Sequence, residues 1–148
     1  MIILYADGGI EHATYKDDEQ LRDIVCPKSR MLEPVQLAPD IYMWGDEEAK
    51  LFADHKLNHN ASLLYRAVHN GDYLAGNVVL LGDYGGVTCD LSLILEHTIM
   101  ASLHSIDRCY KAGKLGPAFV ASGPHCEIRE LTEDDLRAMF GCGEGKEA

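Results

Sequence analysis

Four consecutive apolar residues, Val78-Val79-Leu80-Leu81, constrain this chain more than any other feature. A strand sends successive side chains to opposite faces. An apolar run without polar alternation therefore asks for cover on both faces of a sheet. Leu74 to Leu81 is the clearest predicted strand, and the glycine-rich segment Gly82-Asp83-Tyr84-Gly85-Gly86 is predicted to turn the chain after it.

Around that strand the pattern alternates between short strands and short helices. Met1 to Tyr5 reads as a strand, Asp7-Gly8-Gly9 as a hairpin turn, and Ile10 to Tyr15 as the returning strand. Asp17 caps a helix, with Gln20 in the capping-box position; Leu21, Ile24 and Val25 form its apolar stripe and Pro27 ends it. Val35 to Leu37, Ile41 to Trp44 and Ala49 to Ala53 read as strands, with Gly45-Asp46-Glu47-Glu48 turning between the last two. A second helix starts at Asn58 or Asn60, carries Ala61, Leu64, Tyr65 and Val68 at helical spacing, and stops at Gly71.

From Asp90 to about Lys111 the spacing predicts the longest helix. Leu91, Leu95, Ile99, Leu103, Ile106 and Tyr110 share one face, and Glu96, His97, His104 and Arg108 lie towards the other. Pro117 to Ser122 and Glu127 to Leu131 read as a final strand pair. Thr132 caps a last helix, with Asp135 at its third position and Leu131 and Leu136 placed for a staple. These groupings predict an α+β fold: an antiparallel or mixed sheet with three to four helices packed against it. A single domain is expected over residues 1–140, followed by a flexible tail, 141–148. The length of 148 residues suits one domain.

Charge narrows the function classes. Twenty-four acidic against 13 basic residues give a net charge of −11, which repels nucleic acid and anionic lipid, since both are bound by Lys and Arg. Direct nucleic-acid binding and membrane binding are not expected, and a basic protein partner is allowed. No apolar stretch reaches the ~18 residues of a membrane span. The N-terminal segment has no basic region of a secretory leader, so a cytoplasmic protein with free thiols is expected. Its five cysteines are scattered, without a Cys-x-x-Cys pair.

The acids are unevenly spread. Residues 1–25 hold six acids and two bases, 40–54 hold five and one, and 127–147 hold seven and three, while 55–126 balance at five each. Asp17, Asp18 and Glu19, then Asp46, Glu47 and Glu48, then Glu133, Asp134 and Asp135 are the candidate acidic patches. Gathered on one face they would attract a basic partner; a generally solvated acidic surface is the competing reading.

No catalytic apparatus can be assembled. His55 and His59 have the spacing of two ligands on a helix face, with Asp54 or His69 as a third, but Lys56 stands where a metalloprotease motif has its glutamate. The glycine-rich segment after Leu81 lacks the Lys-Ser/Thr ending of a phosphate-binding loop. Cys109 and Cys126 have no partnered histidine: His125 adjoins Cys126, but strand neighbours face opposite ways. Tyr73, Tyr84, His97, His104 and Arg108 form an alternative ligand-binding set, suited to stacking a base and holding phosphate. Leu93 and Met100, beside the histidines, suggest a self-association surface, so a homo-oligomer is allowed.

Pro34-Val35-Gln36-Leu37, Ile41-Tyr42-Met43, Asp46 to Leu51, Asn58 with Ala61-Ser62, and Ala75-Gly76-Asn77-Val78-Val79 resemble a family of small domains of unknown function encoded by bacteriophages and conjugative elements. The likeness covers residues 33 to 82 and excludes the long helix. It carries no catalytic residues or cofactor. It implies an accessory protein acting in the host cytoplasm, which binds and inhibits a host defence component. Two alternatives stand beside that expectation: an oligomeric sponge for a nucleotide signal, and a metal-assisted hydrolase using His55 and His59.

Overall fold

The computed structural model describes residues 1–51, 56–68, 74–111, 118–122 and 125–129. The fold is α+β, with a six-stranded antiparallel sheet, a separate hairpin and three α helices among those residues. Strand β1 (Ile2–Leu4) turns through Asp7-Gly8-Gly9 into β2 (Ile10–His12), and helix α1 (Asp18–Val25) follows. Strands β3 (Leu32–Ala38) and β4 (Ile41–Asp46) form a second hairpin. Helix α2 (His59–Val68), strands β5 (Val78–Tyr84) and β6 (Val87–Cys89), and helix α3 (Leu93–Lys111) come next. Strands β7 (Ala118–Ser122) and β8 (His125–Arg129) pair with each other. The predicted helix after Thr132 lies outside the described residues.

The sheet order is β2-β1-β5-β4-β3, with every pairing antiparallel. Val79 pairs with Ile3 on one side and Trp44 on the other, while Gly82 pairs with Ile41 and Cys89. Strand β6 therefore continues along the flank of β5 that β1 occupies.

The apolar run Val78–Leu81 is covered on both faces, as its composition demands. Val78 and Leu80 join Ile2, Leu4, Ile41 and Met43 beneath Ala61 and Leu64 of α2 and Ile99 and Leu103 of α3. Val79 and Leu81 join Ile3 beneath Leu21 and Val25 of α1, with Trp44 half-buried beside them. The result is three layers, with one short helix on one face and two longer helices on the other. Each wholly buried Leu or Ile contributes about 1.5–3 kcal/mol to such a core. Strand β7 packs near α2, α3 and β3.

Several boundaries differ from the sequence expectation, each for a local reason. Ala49 to Leu51 is a 3-10 turn, not a strand. The Asp46 carboxylate accepts the Glu48 amide at 2.9 Å, and Leu51 N bonds to Glu48 O at 2.9 Å, which closes the chain on itself. Strand β5 starts at Val78 rather than Leu74, because Gly76 takes a φ of +76° and breaks the extended run. It then runs on through Gly82-Asp83-Tyr84. Only Gly85 and Gly86 form the turn, with φ of +62° and +85°, the pair of positive angles that a two-residue hairpin loop requires. Strand β6 was not expected, being three residues long.

Helix α3 begins at Leu93, not Asp90, because Ser92 is its cap: Ser92 Oγ accepts the Leu95 amide at 3.2 Å. Helix α1 keeps its predicted cap, with Asp17 Oδ1 accepting from Gln20 N at 2.8 Å. The Gln20 side chain reaches one residue further back than a capping box expects, taking the Lys16 amide at 2.7 Å.

Candidate functional site

The α1 acids and the acids at the end of β4 are drawn together by residues 29–31. Ser29 Oγ donates to Asp46 Oδ1 at 2.6 Å, and Glu47 N donates to Met31 O at 3.0 Å. Between them Arg30 adopts a left-handed φ of +62° and sends its guanidinium back to Glu19 and to Asp23, the latter at 2.7 Å. Two of the three predicted acidic segments are thus neighbours; Glu133, Asp134 and Asp135 lie outside the described residues.

Several of these carboxylates also serve the fold. Asp17 caps α1, Asp18 accepts the Tyr15 hydroxyl at 2.7 Å, Glu19 pairs with Arg30 and Arg22, and Asp46 organises the turn after β4. Glu47 is exposed and Glu48 half-buried. Asp17, Asp18 and Glu19 remain exposed at the helix N-terminus, where the macrodipole favours negative charge.

The Tyr15 phenol is pushed up to about 12, chiefly by burial and then by the hydrogen bond and charge of Asp18 and the charge of Asp17. A folded-state value above the unfolded 10.0 means that the folded chain holds a proton the unfolded chain releases. That contribution is whole below about pH 10 and fades towards about pH 12. The urea midpoint should therefore fall more steeply over this window in wild type than in Tyr15→Phe; parallel curves would remove Tyr15 as the cause.

Other candidates separate. His59 Nε2 lies 2.8 Å from Asp107 Oδ1, so this histidine ties α2 to α3. His55, Asp54 and His69 lie outside the described residues. No group of three or more His, Cys, Asp or Glu with metal-binding geometry occurs among the described residues. Tyr84, His97 and His104 are exposed and are not joined by hydrogen bonds among the described residues. Tyr73 lies outside them, as does the Arg108 side chain. Met100, expected on the surface, is half-buried against the core, while Leu93 is 82% exposed. The Cys26 and Cys89 thiols are both pushed up, first by burial and then by nearby carboxylates, Asp46 for one and Asp83 and Asp90 for the other, the opposite of an activated nucleophile.

Sequence reasoning passed over a concavity of about 200 Å³ on the sheet face that α1 only partly covers. Pro34, Tyr42, Trp44, Asp83 and Thr88 line it, with Gly86 at the turn. The register explains the gathering: Pro34 pairs with Trp44 and Asp83 with Thr88, so alternate residues of four strands project from one face. The available signal was Tyr42 and Trp44 two apart on a strand; Asp83 was hidden by its assignment to a turn. Two other clefts, of about 190 and about 230 Å³, border β3–β4 and the end of α1.

No described helix is long and apolar enough to cross a membrane. A scan of protein-family models finds no match to the chain, and searches of curated proteins and of solved structures find none either.

Proposed function

We propose that this chain is a non-enzymatic accessory protein of a bacteriophage or conjugative element, which binds a basic, nucleic-acid-binding host protein and blocks it. The observation that carries the reading is the adjacency of the α1 acids and the Asp46-Glu47-Glu48 turn, held by Ser29, Arg30 and Met31. Set in a chain of net charge −11, that corner repels nucleic acid itself and attracts proteins that bind it. The resemblance over residues 33–82 supports the mobile-element setting.

The reading predicts salt-sensitive association. Against a panel of bacterial nucleic-acid-binding proteins, binding at about 50 mM salt should weaken at least tenfold at about 500 mM, as screening shortens the reach of surface charge. Glu47→Lys combined with Glu48→Lys should slow association more than it speeds dissociation. Tight binding indifferent to salt would overturn the electrostatic mechanism, and failure to bind any basic protein would overturn the function.

A further inference from the structure

Among the described residues, three buried side-chain polar atoms have no hydrogen-bond partner: Trp44 Nε1, Asp83 Oδ1 and Ser102 Oγ. Such atoms are uncommon, because leaving one unsatisfied costs about 1–3 kcal/mol. Ser102 sits in the core on α3. The other two belong to residues lining the same concavity, beside the Tyr42 ring, Pro34 and the Thr88 side chain. One is a donor and the other a carboxylate acceptor, so an occupant satisfying both must itself donate and accept.

Among the described residues the lining contains a carboxylate and two aromatic rings and no lysine or arginine. A phosphate-bearing ligand would meet charge of its own sign. A guanidinium fits each element: it stacks on aromatic faces, donates to a carboxylate in its own plane, and loses less hydration than an ammonium on leaving water. The Trp44 N–H is then left to donate to a carbonyl, which the peptide bond beside an arginine supplies.

We propose that this concavity is the recognition subsite for an arginine side chain of the partner protein, with Asp83 accepting from the guanidinium, Tyr42 and Trp44 stacking on it, and Trp44 Nε1 donating to the adjoining peptide carbonyl. The proposal rests on the reading of a basic protein partner and gives that partner a chemical signature. The acidic corner steers; the aromatic pocket selects arginine.

Trp44 is the single tryptophan of the chain, so all tryptophan emission comes from the pocket wall. Wild type, Asp83→Asn and Tyr42→Leu would be titrated at low salt with fluorescein-labelled octa-arginine, followed by anisotropy, and with unlabelled octa-arginine, octa-lysine and guanosine, followed by Trp44 emission. Circular dichroism would check that each variant is folded. Octa-arginine should change the emission saturably; Asp83→Asn should weaken its binding about tenfold or more, the loss expected for one charge-assisted hydrogen bond, and Tyr42→Leu about threefold or more, the loss expected for a cation–π stack. Octa-arginine binding by anisotropy with unchanged emission and equal affinity for both variants would overturn the subsite while leaving the basic-partner reading intact. No binding of either basic peptide would overturn both. An equal emission response to octa-lysine would overturn the guanidinium assignment, and saturable binding of guanosine in its place would make the pocket a base site.

Discussion

Replacing Asn58 by alanine should lower the free energy of unfolding by about 3–5 kcal/mol, a large part of the roughly 5–15 kcal/mol that holds an ordinary domain together. Asn58 is wholly buried and uses every hydrogen-bonding group it has. Its Nδ2 donates to Leu4 O and to Gly76 O, both at 2.8 Å, and its Oδ1 accepts the Ala61 amide at 3.0 Å as the cap of α2. Its own amide donates to Leu74 O at 2.8 Å. One side chain thus joins the end of β1, the start of α2 and the segment leading into β5. Alanine would strip two interior carbonyls of a donor and one helix of its cap, the cap alone being worth about 1 kcal/mol. Asn58→Asp should be at least as damaging at neutral pH, because it keeps the cap but turns an oxygen towards the two carbonyls. Asn60→Ala, which removes one 3.4 Å contact to Gly8 O, should cost less than about 1 kcal/mol. Urea unfolding followed by circular dichroism would measure all three, and an Asn58→Ala protein within about 1 kcal/mol of wild type would refute this account.

Asn58 also marks where the sequence stops being readable. Its role as a helix cap was visible one residue at a time, because caps are local chemistry. Its bond to Leu4, 54 residues away, was not, because nothing in the chain encodes a long-range partner. The same division runs through the molecule. Val78 to Leu81 announced a doubly covered strand, and Leu95, Ile99 and Leu103 announced the buried side of a helix, since burial imposes a period. Strand β6 is three residues long, too short for any period to emerge, and Asp83 was lost with it in a glycine-rich stretch. Asn58, Ser62 and Asn77 are internal joints. Ser62 Oγ takes the Leu74 amide at 2.9 Å, and the Asn77 side chain bridges Ala6 N and Ile24 O. These three secure the architecture, whereas Glu47 in the turn after β4 stays exposed. The candidate pocket is instead made by Tyr42, Trp44, Asp83 and Thr88, whose common face depends on register, and register is set by strands far apart in sequence.

The second large effect should come from Asp90, which was expected inside the long helix and lies ahead of it. Its Oδ1 accepts from the Met1 amine at 2.7 Å and from the Tyr15 amide at 2.8 Å. The Met1 amine is wholly buried and donates also to Ala13 O at 2.7 Å and to Glu96 Oε1 at 3.2 Å. Asp90→Ala should cost about 2–3 kcal/mol, since it removes one acceptor of a buried cation and the side-chain acceptor of the Tyr15 amide. Breaking a buried ion pair outright costs about 3–5 kcal/mol, and here the remaining carboxylate moderates the loss. Asp90→Asn should cost less, because it keeps an oxygen for the amide. Glu96→Ala should also be mild while Asp90 is present. With both removed, the Ala13 carbonyl is the one acceptor left to the amine among the described residues, so the double variant should be less stable than the sum of the singles by about 1 kcal/mol or more. Additive losses would show that the two carboxylates do not share the charge of this amine.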